Sequence, residues 1–317
     1  MILAIDTSCY TTSVAYMDME GNLLSDQRRV LEVPLGERGL SQSEALFQHI
    51  RNLPQLMQSL SQSVDLRGIK AVGVSTRPRP VEGSYMPVFL GGEQSAITVA
   101  STLQVPLYSL SHQEGHMMAG IFSSEFRPAV GQKFFLVHFS GGTSEVILTE
   151  KCDQGKYHLK LYAYGNDLHA GQFVDRIGVL LGLTFPTGAA LERLAASYQG
   201  EVPKIKTWAK GREFSFSGQE TAIRRLLEQG LEHGAAARAV EETVARTMIK
   251  VLSRAMEETG VADILLVGGV MSNQFIADTL KRKLPQACLW FAKPKYASDN
   301  AVGIAALTLE QYLAESK

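Results

Sequence analysis

Cysteine is scarce in this chain: Cys9, Cys152 and Cys288 are the only three among 317 residues. They are odd in number, far apart and without a C-x-x-C pair. They therefore suggest neither a disulfide framework nor a thiolate zinc site, and reduced thiols in a cytoplasmic protein are the expectation. Long apolar runs are also missing. None reaches the ~18 residues of a membrane span, so no membrane partner is expected. The opening "MILAIDTS" meets Asp6 after a short apolar run and has no basic n-region, which does not fit a signal peptide. Nor is there an excess of one charge: 31 Lys and Arg against 32 Asp and Glu leave a formal net charge of −1. Any RNA contact must then come from a local patch. Apolar residues make up 45% and charged residues 20% of the chain, as in ordinary globular proteins. The length suits one large domain or two medium lobes.

The apolar pattern is α/β. "ILAID", "TTSVAYMD" and "GNLLSDQRRVLEV" read as three strands, with Glu20-Gly21-Asn22 as a hairpin turn. Much later, "KFFLVHFSGGTSEVILTEKCDQGKYHLKLYAY" repeats the same strand–turn–strand–turn–strand order. Each meander is followed by helical and β/α material, which predicts an internal duplication into two lobes built alike. "SEALFQHIRNLPQLMQSLSQS" carries a helical stripe (Leu46, Ile50, Leu53, Met57, Leu60), with Pro54 expected to bend or interrupt it. "IKAVGVST" reads as a buried strand, "GGEQSAITVASTLQ" as a helix and "VPLYSL" as a strand. "HGAAARAVEETVARTMIKVLSRAMEETG" reads as a long helix capped by Gly260. "ADILLVGGVMSN" is a buried strand with a glycine turn. "DNAVGIAALTLEQYLAES" is a final helix begun by Asp299 or Ser298 as N-cap. Three small-residue turns follow buried strands: Thr7 to Thr12, Ser140 to Ser144 and Gly268 to Asn273. Backbone N–H groups in such turns can approach phosphates closely.

His112 and His116 are four residues apart in "SLSHQEGHMMAG". In a helix they share a face and can meet on one ion; the alternative is two surface histidines that bind nothing. A zinc protease does not follow. Its H-E-x-x-H pattern needs a glutamate at the position held here by Gln113. Glu114 lies about 200° around the helix from His112, and the inverted pattern fails at Gly115. A third ligand is needed. Asp299, in "YASDN", is one choice, and a plain N-cap aspartate is the other reading.

Taken together, "IDTSC", "HQEGH", "SGG", "AGQFVDRIGVLLGL", "FSFSG", "VGGVMSN" and "SDNAVGIAA" resemble the TsaD family, the tRNA threonylcarbamoyladenosine synthases. The motifs stand in the family's order and cover nearly the whole chain. The resemblance implies the two-lobed actin-like/sugar-kinase (ASKHA) fold with duplicated ribonuclease-H-like lobes. The expected division is 1–108 plus 293–317 for one lobe and 109–292 for the other, with nucleotide and metal in the interlobe cleft. His112, His116 and Asp299 match the family's metal ligands, for one divalent ion assigned as iron or zinc. His138, Phe139, Ser140, Gly141 and Gly142 match its substrate- and phosphate-binding turn. Asp175 matches the aspartate for the ribose or adenylate, and Gly188 and Asn273 match further positions for an adenine nucleotide (ATP, ADP or an acyl-adenylate). The implied reaction moves a threonylcarbamoyl group from an acyl-adenylate to an adenosine amine in tRNA. The implied partners are tRNA and TsaB-like and TsaE-like accessory proteins, with a homodimer as a further option. No residue is singled out as the catalytic base.

The chain also departs from the family pattern. S-C-D-E-T reads Ser8-Cys9-Tyr10-Thr11-Thr12. S-G-G-H-T reads Ser140-Gly141-Gly142-Thr143. A glutamate has become Gln172, and a lysine in the F-S-F-S-G-L-K segment falls at Gln219-Glu220. The T-x-G-P-G-L turn reads "TRPRPVEGSYMP", basic and stiffened by proline. A general base needs an ionisable group within reach, and Thr11 and Gln172 cannot supply one. Three alternatives to tRNA modification follow: a divergent paralogue acting on another acceptor, a non-catalytic nucleotide-binding scaffold, and a kinase or ATPase for which Asp6 remains as a base. "KIKTWAKGR" (Lys204, Lys206, Trp208, Lys210, Arg212) is either an RNA contact by charge and stacking or a solvated loop with one anchoring Trp.

Overall fold

The computed structural model describes residues 1–34 and 39–316. The strands and helices are β1 (Ile2–Asp6), β2 (Thr11–Met17), β3 (Leu23–Val30), α1 (Gln42–Ser63), β4 (Ala71–Arg77), α2 (Phe89–Leu103), β5 (Leu107–Ser111) and α3 (His112–Ser123). There follow β6 (Lys133–Phe139), β7 (Ser144–Lys151), β8 (Tyr157–Gly165), α4 (Ala170–Leu180), α5 (Gly188–Ala196), β9 (Trp208–Lys210), β10 (Glu213–Ser215), α6 (Ser217–Glu228) and α7 (His233–Thr259). The last are β11 (Asp263–Val267), α8 (Gln274–Lys283), β12 (Cys288–Phe291), α9 (Pro294–Ala297) and α10 (Val302–Glu315).

Two compact units emerge. The first comprises Met1–Gly131, Lys151–His158 and Lys295–Lys317, the second Gln132–Glu150 and Leu159–Pro294. The sheet of the first unit has the order β3-β2-β1-β4-β5. Its meander β1–β2–β3 is antiparallel, and β4 and β5 add in parallel. In the second sheet, β12-β11-β6-β7-β8-β10-β9, the first five strands repeat that order with β6 in the place of β1. β6 pairs antiparallel with β7 and parallel with β11, and β11 runs parallel to β12. The duplicated meander of the sequence is thus a duplicated sheet. β1 and β6 take the centre because they are apolar on both faces: all five residues of β1 and all but the first of β6 are buried.

Four details differ from expectation. Residues 109–131 belong to the first unit, because α3 packs on α10. The turn at 151–158 joins the same unit, where Lys151 and Tyr157 both reach Glu310, at 2.7 and 3.3 Å. Helix α1 runs unbroken through Pro54, and its buried face is Ala45, His49, Leu53, Leu56 and Leu60. That face is rotated from the expected stripe, so Ile50 is exposed. His49 turns inward, where its Nδ1 pairs with the Thr12 hydroxyl at 2.8 Å, which offsets part of the cost of burying the ring. Finally, α10 starts at Val302, after Asn300 accepts the Val302 N–H at 3.0 Å. Asn300 therefore does the local work expected of Asp299 or Ser298, and the Asp299 carboxylate is left for other partners.

The α3–α10 contact is unusually close. A Cβ on Gly303 would lie 1.8 Å from the Gly115 carbonyl oxygen and 2.6 Å from Ala119 N, and one on Gly115 would lie 2.9 Å from Ile304. Overpacking against backbone cannot be relieved by a rotamer change. Gly303→Ala is expected to lower stability by about 2–3 kcal/mol. Gly141→Ala, where a Cβ meets nothing within 4 Å, serves as the comparison and keeps the wild-type melting temperature. Equal melting temperatures for both variants would contradict the contact.

Candidate metal centre

The metal candidate is built on the first turn of α3. β5 ends at Ser111, which caps α3: the Glu114 N–H donates to the Ser111 hydroxyl at 3.2 Å, and the Ser111 N–H donates to the Glu114 carboxylate at 2.8 Å. Glu114 is thus a capping residue. Gln113, where a zinc protease keeps its base, is buried, and its N–H donates to the Pro78 carbonyl at 3.0 Å. Neither can activate a water on a metal, which removes the peptidase chemistry on structural grounds.

His112 and His116 share the inward face of α3, with ring centroids 4.4 Å apart. Their Nε2 atoms converge on one oxygen, Asp299 Oδ1, at 3.5 and 3.3 Å. The other carboxylate oxygen of Asp299 faces the Tyr10 N–H at 3.4 Å. These separations are long for charge-assisted hydrogen bonds. They match the ~3.3–3.6 Å edges of a tetrahedron around an ion with ~2.0–2.2 Å bonds to nitrogen and oxygen. His112 Nδ1 pairs with Asp6 Oδ2 at 3.0 Å. Asp6 Oδ1 in turn accepts from Ser8 N–H and the Ser75 hydroxyl, both at 2.8 Å. A carboxylate behind a histidine fixes the ring and directs its other nitrogen outward, the arrangement that supports metal-ligating histidines. The donor set fits a divalent zinc- or iron-class ion.

The electrostatics follow from burial. Burial pushes Asp6 and Asp299 toward the neutral form. For Asp6 this is outweighed by the charge and hydrogen bond of His112, and for Asp299 by its hydrogen bonds to both histidines, so both carboxyls lie below their ordinary range. Burial opposes the charged form of His112, but Asp6 and Asp299 prevail and raise its pKa well above the ordinary value. His116 is lowered, by burial first and by the neighbouring His112 second. A neutral His116 and an ionised Asp299 are the ligand forms a cation requires. Asp6, wholly engaged with His112, Ser8 and Ser75, is not a spare base for a kinase.

The nucleotide candidates lie in the second unit. The turn after β6 is closed by the Ser140 N–H to the Thr143 carbonyl at 2.8 Å. It packs so tightly on α4 that a Cβ on Gly171 would lie 2.5 Å from Ser140 O. His138 and Phe139 are buried strand residues, whereas Gly141 and Gly142 are exposed with open space above them. Gly188 and Asn273 line one cavity with Glu192, Glu241, Gly269 and Val270. Asp175 is not among the lining residues; its Oδ1 accepts from Thr187 N–H and hydroxyl at 2.7 and 3.1 Å and so fixes the turn before Gly188. Both ends of the Asn273 amide are engaged. Oδ1 caps α8 by accepting from the Ile276 N–H at 2.9 Å, and Nδ2 donates to Glu241 at 2.6 Å.

The departures from the family pattern are absorbed locally. Thr11 opens β2 and is buried. Gln172 accepts from the His169 N–H at 3.3 Å as part of the α4 cap. Glu220 is buried beside Arg224 at 3.4 Å. In the basic segment, Trp208 is 42% exposed on the edge strand β9, with Lys204, Lys206, Lys210 and Arg212 exposed too. It anchors nothing.

Two supporting groups carry no sequence signal of their own. Asp6 matters to the metal candidate only through its position behind His112. Glu241 sits on the buried face of α7, paired with Arg238 at 2.7 Å. Burial pushes it up to about 7, against Asn273 and Arg238, with Glu192 and Glu242 adding repulsion. A carboxyl raised above its unfolded value contributes stability below about pH 4.5 that is lost as pH rises through about 7. Glu241→Gln removes that loss. From pH 5 to pH 8 its unfolding free energy should gain on wild type by about 1–3 kcal/mol; a pH-independent difference in denaturant titrations contradicts this.

With the geometry described, the chain can be set beside known proteins. Residues 35–306 match the family model for TsaD, tRNA N6-adenosine threonylcarbamoyltransferase. A curated protein of that name from Nitrosospira multiformis is 29% identical over 335 aligned positions, covering 100% of this chain and 93% of the relative. One from Neorickettsia sennetsu is 29% identical over 321, covering 98% and 93%. Among solved structures, HypF of T. kodakarensis superposes with a TM-score of 0.64 at 14% identity, over 98% of this chain and 48% of that one. The chain thus spans about half the length of HypF. A ROK family glucokinase from Streptomyces griseus superposes with a TM-score of 0.53 at 15% identity, over 97% and 98% of the two chains. These likenesses show the fold, which is the actin-like, sugar-kinase class with two ribonuclease-H-like sheets. Among the described residues no helix is long and apolar enough to cross a membrane. The family match spans most of the chain, and the chain belongs to the TsaD family of acyltransferases, the tRNA N6-adenosine threonylcarbamoyltransferases.

Proposed function

We propose that this protein transfers a threonylcarbamoyl group from an acyl-adenylate to the exocyclic amine of a tRNA adenosine, with His112, His116 and Asp299 holding one divalent ion. The observation that carries the reading is the convergence of both Nε2 atoms on Asp299 Oδ1, in a chain of this family. When bound, the ion polarises a phosphate or carbonyl oxygen and offsets developing negative charge. The residues of the chain do the rest by position. Asp6 holds the His112 ring. The open glycines at 141 and 142 leave room for backbone N–H groups to meet phosphate. The cavity at Gly188 and Asn273 takes the adenine end, and Asp175 shapes its rim through Thr187. Holding amine and mixed anhydride together supplies proximity. The amine attacks the acyl carbon of the mixed anhydride, the carbon–oxygen bond to phosphate breaks, AMP leaves and the amine proton passes to solvent, so the missing carboxylates at Tyr10, Thr11 and Gln172 do not remove the driving force.

tRNA and TsaB-like and TsaE-like proteins are the proposed partners. The exposed Trp208 among four basic residues is the proposed patch for the nucleic acid. A nucleotide-binding scaffold is the rival reading, favoured by the same neutral substitutions. Reconstitution with tRNA, threonine, bicarbonate, ATP and the accessory proteins separates them. Threonylcarbamoyladenosine should form in the tRNA, and His116→Ala should reduce the rate by about a hundredfold or more. A wild-type protein that binds adenine nucleotide yet yields no modified nucleoside, and whose tRNA affinity does not change with salt, is a scaffold.

A further inference from the structure

We propose that Cys9 is a fourth protein donor to the metal centre, making it a site of two nitrogens, one oxygen and one sulfur. The inference rests on the reading of His112, His116 and Asp299 as ligands and extends it. The Cys9 sulfur, a His112 nitrogen and an Asp299 carboxylate oxygen all lie within 4.8 Å of one another, and among the described residues they form the group of metal-capable side chains. Tetrahedral edges around an ion bound by sulfur at ~2.3 Å and by nitrogen or oxygen at ~2.0–2.2 Å are about 3.3–3.7 Å. Cys9, His112 and Asp299 therefore need to close by about 1.5 Å at most to share one ion, and His116 Nε2 already stands 3.3 Å from Asp299 Oδ1.

The turn that carries Cys9 is tied to the same centre at both ends. Asp6, three residues before, positions His112, and the N–H of Tyr10, the next residue, faces Asp299. Cys9 itself holds a left-handed backbone with φ 47°. Glycine or asparagine adopts that region more readily, and other residues pay about 1–2 kcal/mol for it. A thiol is kept here at a conformational cost, with its sulfur toward the ligand set. On binding, the thiol gives its proton to solvent and the sulfur donates as thiolate. A sulfur donor biases the centre toward zinc, iron and cobalt and away from magnesium and manganese. No cysteine spacing reports such a site, because its donors come from three separate segments.

Cobalt(II) tests this on the full chain, since its visible bands report binding and a near-ultraviolet sulfur-to-cobalt charge-transfer band reports a thiolate ligand. In a Cys152→Ser, Cys288→Ser protein, Cys9 is the sole thiol. That protein should take up one cobalt and show the charge-transfer band. Adding Cys9→Ser should abolish the band, keep the visible bands and weaken cobalt binding by about tenfold or more. The band in the double variant decides the matter even if the triple variant does not fold. Cobalt bound without the band overturns the Cys9 assignment and leaves the three-residue site standing. No cobalt uptake by the double variant or by wild type overturns both.

Discussion

The contact on which the candidate centre depends is between two backbones. Gly303 in α10 sits where any side chain would strike the Gly115 carbonyl in α3, and Gly115 is itself pressed against Ile304. His116 follows Gly115 directly, and Asp299 stands just before the helix that carries Gly303. The approach of the two helices thus sets the separation between candidate ligands that are almost two hundred residues apart. Glycine at this seam is a steric requirement, and the long-range geometry of the ligands follows from it.

Charge then organises what packing has brought together. Two carboxylates and two imidazoles share a buried volume, and burial disfavours every charge in it. The outcome is asymmetric. Asp6 sits behind His112 and holds it, whereas Asp299 faces both rings. The glutamate between the histidines, which a quick motif match would make catalytic, is tied into the cap of the helix. Local hydrogen bonding therefore separates this centre from a metalloprotease more firmly than any count of matching letters.

Much of the fold is legible in the sequence. The two meanders announce the duplicated sheets because each runs strand, turn, strand, turn, strand from an apolar first strand. The facing of His112 and His116 follows from helix geometry alone. Long-range features are less legible. Asp299 reads locally as an N-cap, and only Asn300, one residue on, frees it from that role. Ile50 reads as core in a periodic stripe, but the buried face is rotated and His49 finds a hydroxyl partner inside. Asp6 and Cys9 read as parts of a strand and a turn. Their place beside α3 depends on how β1 pairs with β4 and how α3 follows β5, which no short window of sequence contains. The boundary at 131 was hidden for the same reason, since a glycine seam between distant helices has no local pattern.

The direct check on the centre is elemental analysis of the purified full-length protein beside Asp299→Ala, after equilibration with zinc or ferrous iron and removal of the excess. The geometry predicts one tightly held ion per chain in wild type and loss of most of it in the variant, with helix content unchanged. Wild-type protein that retains no ion, or a variant that retains as much as wild type, contradicts it.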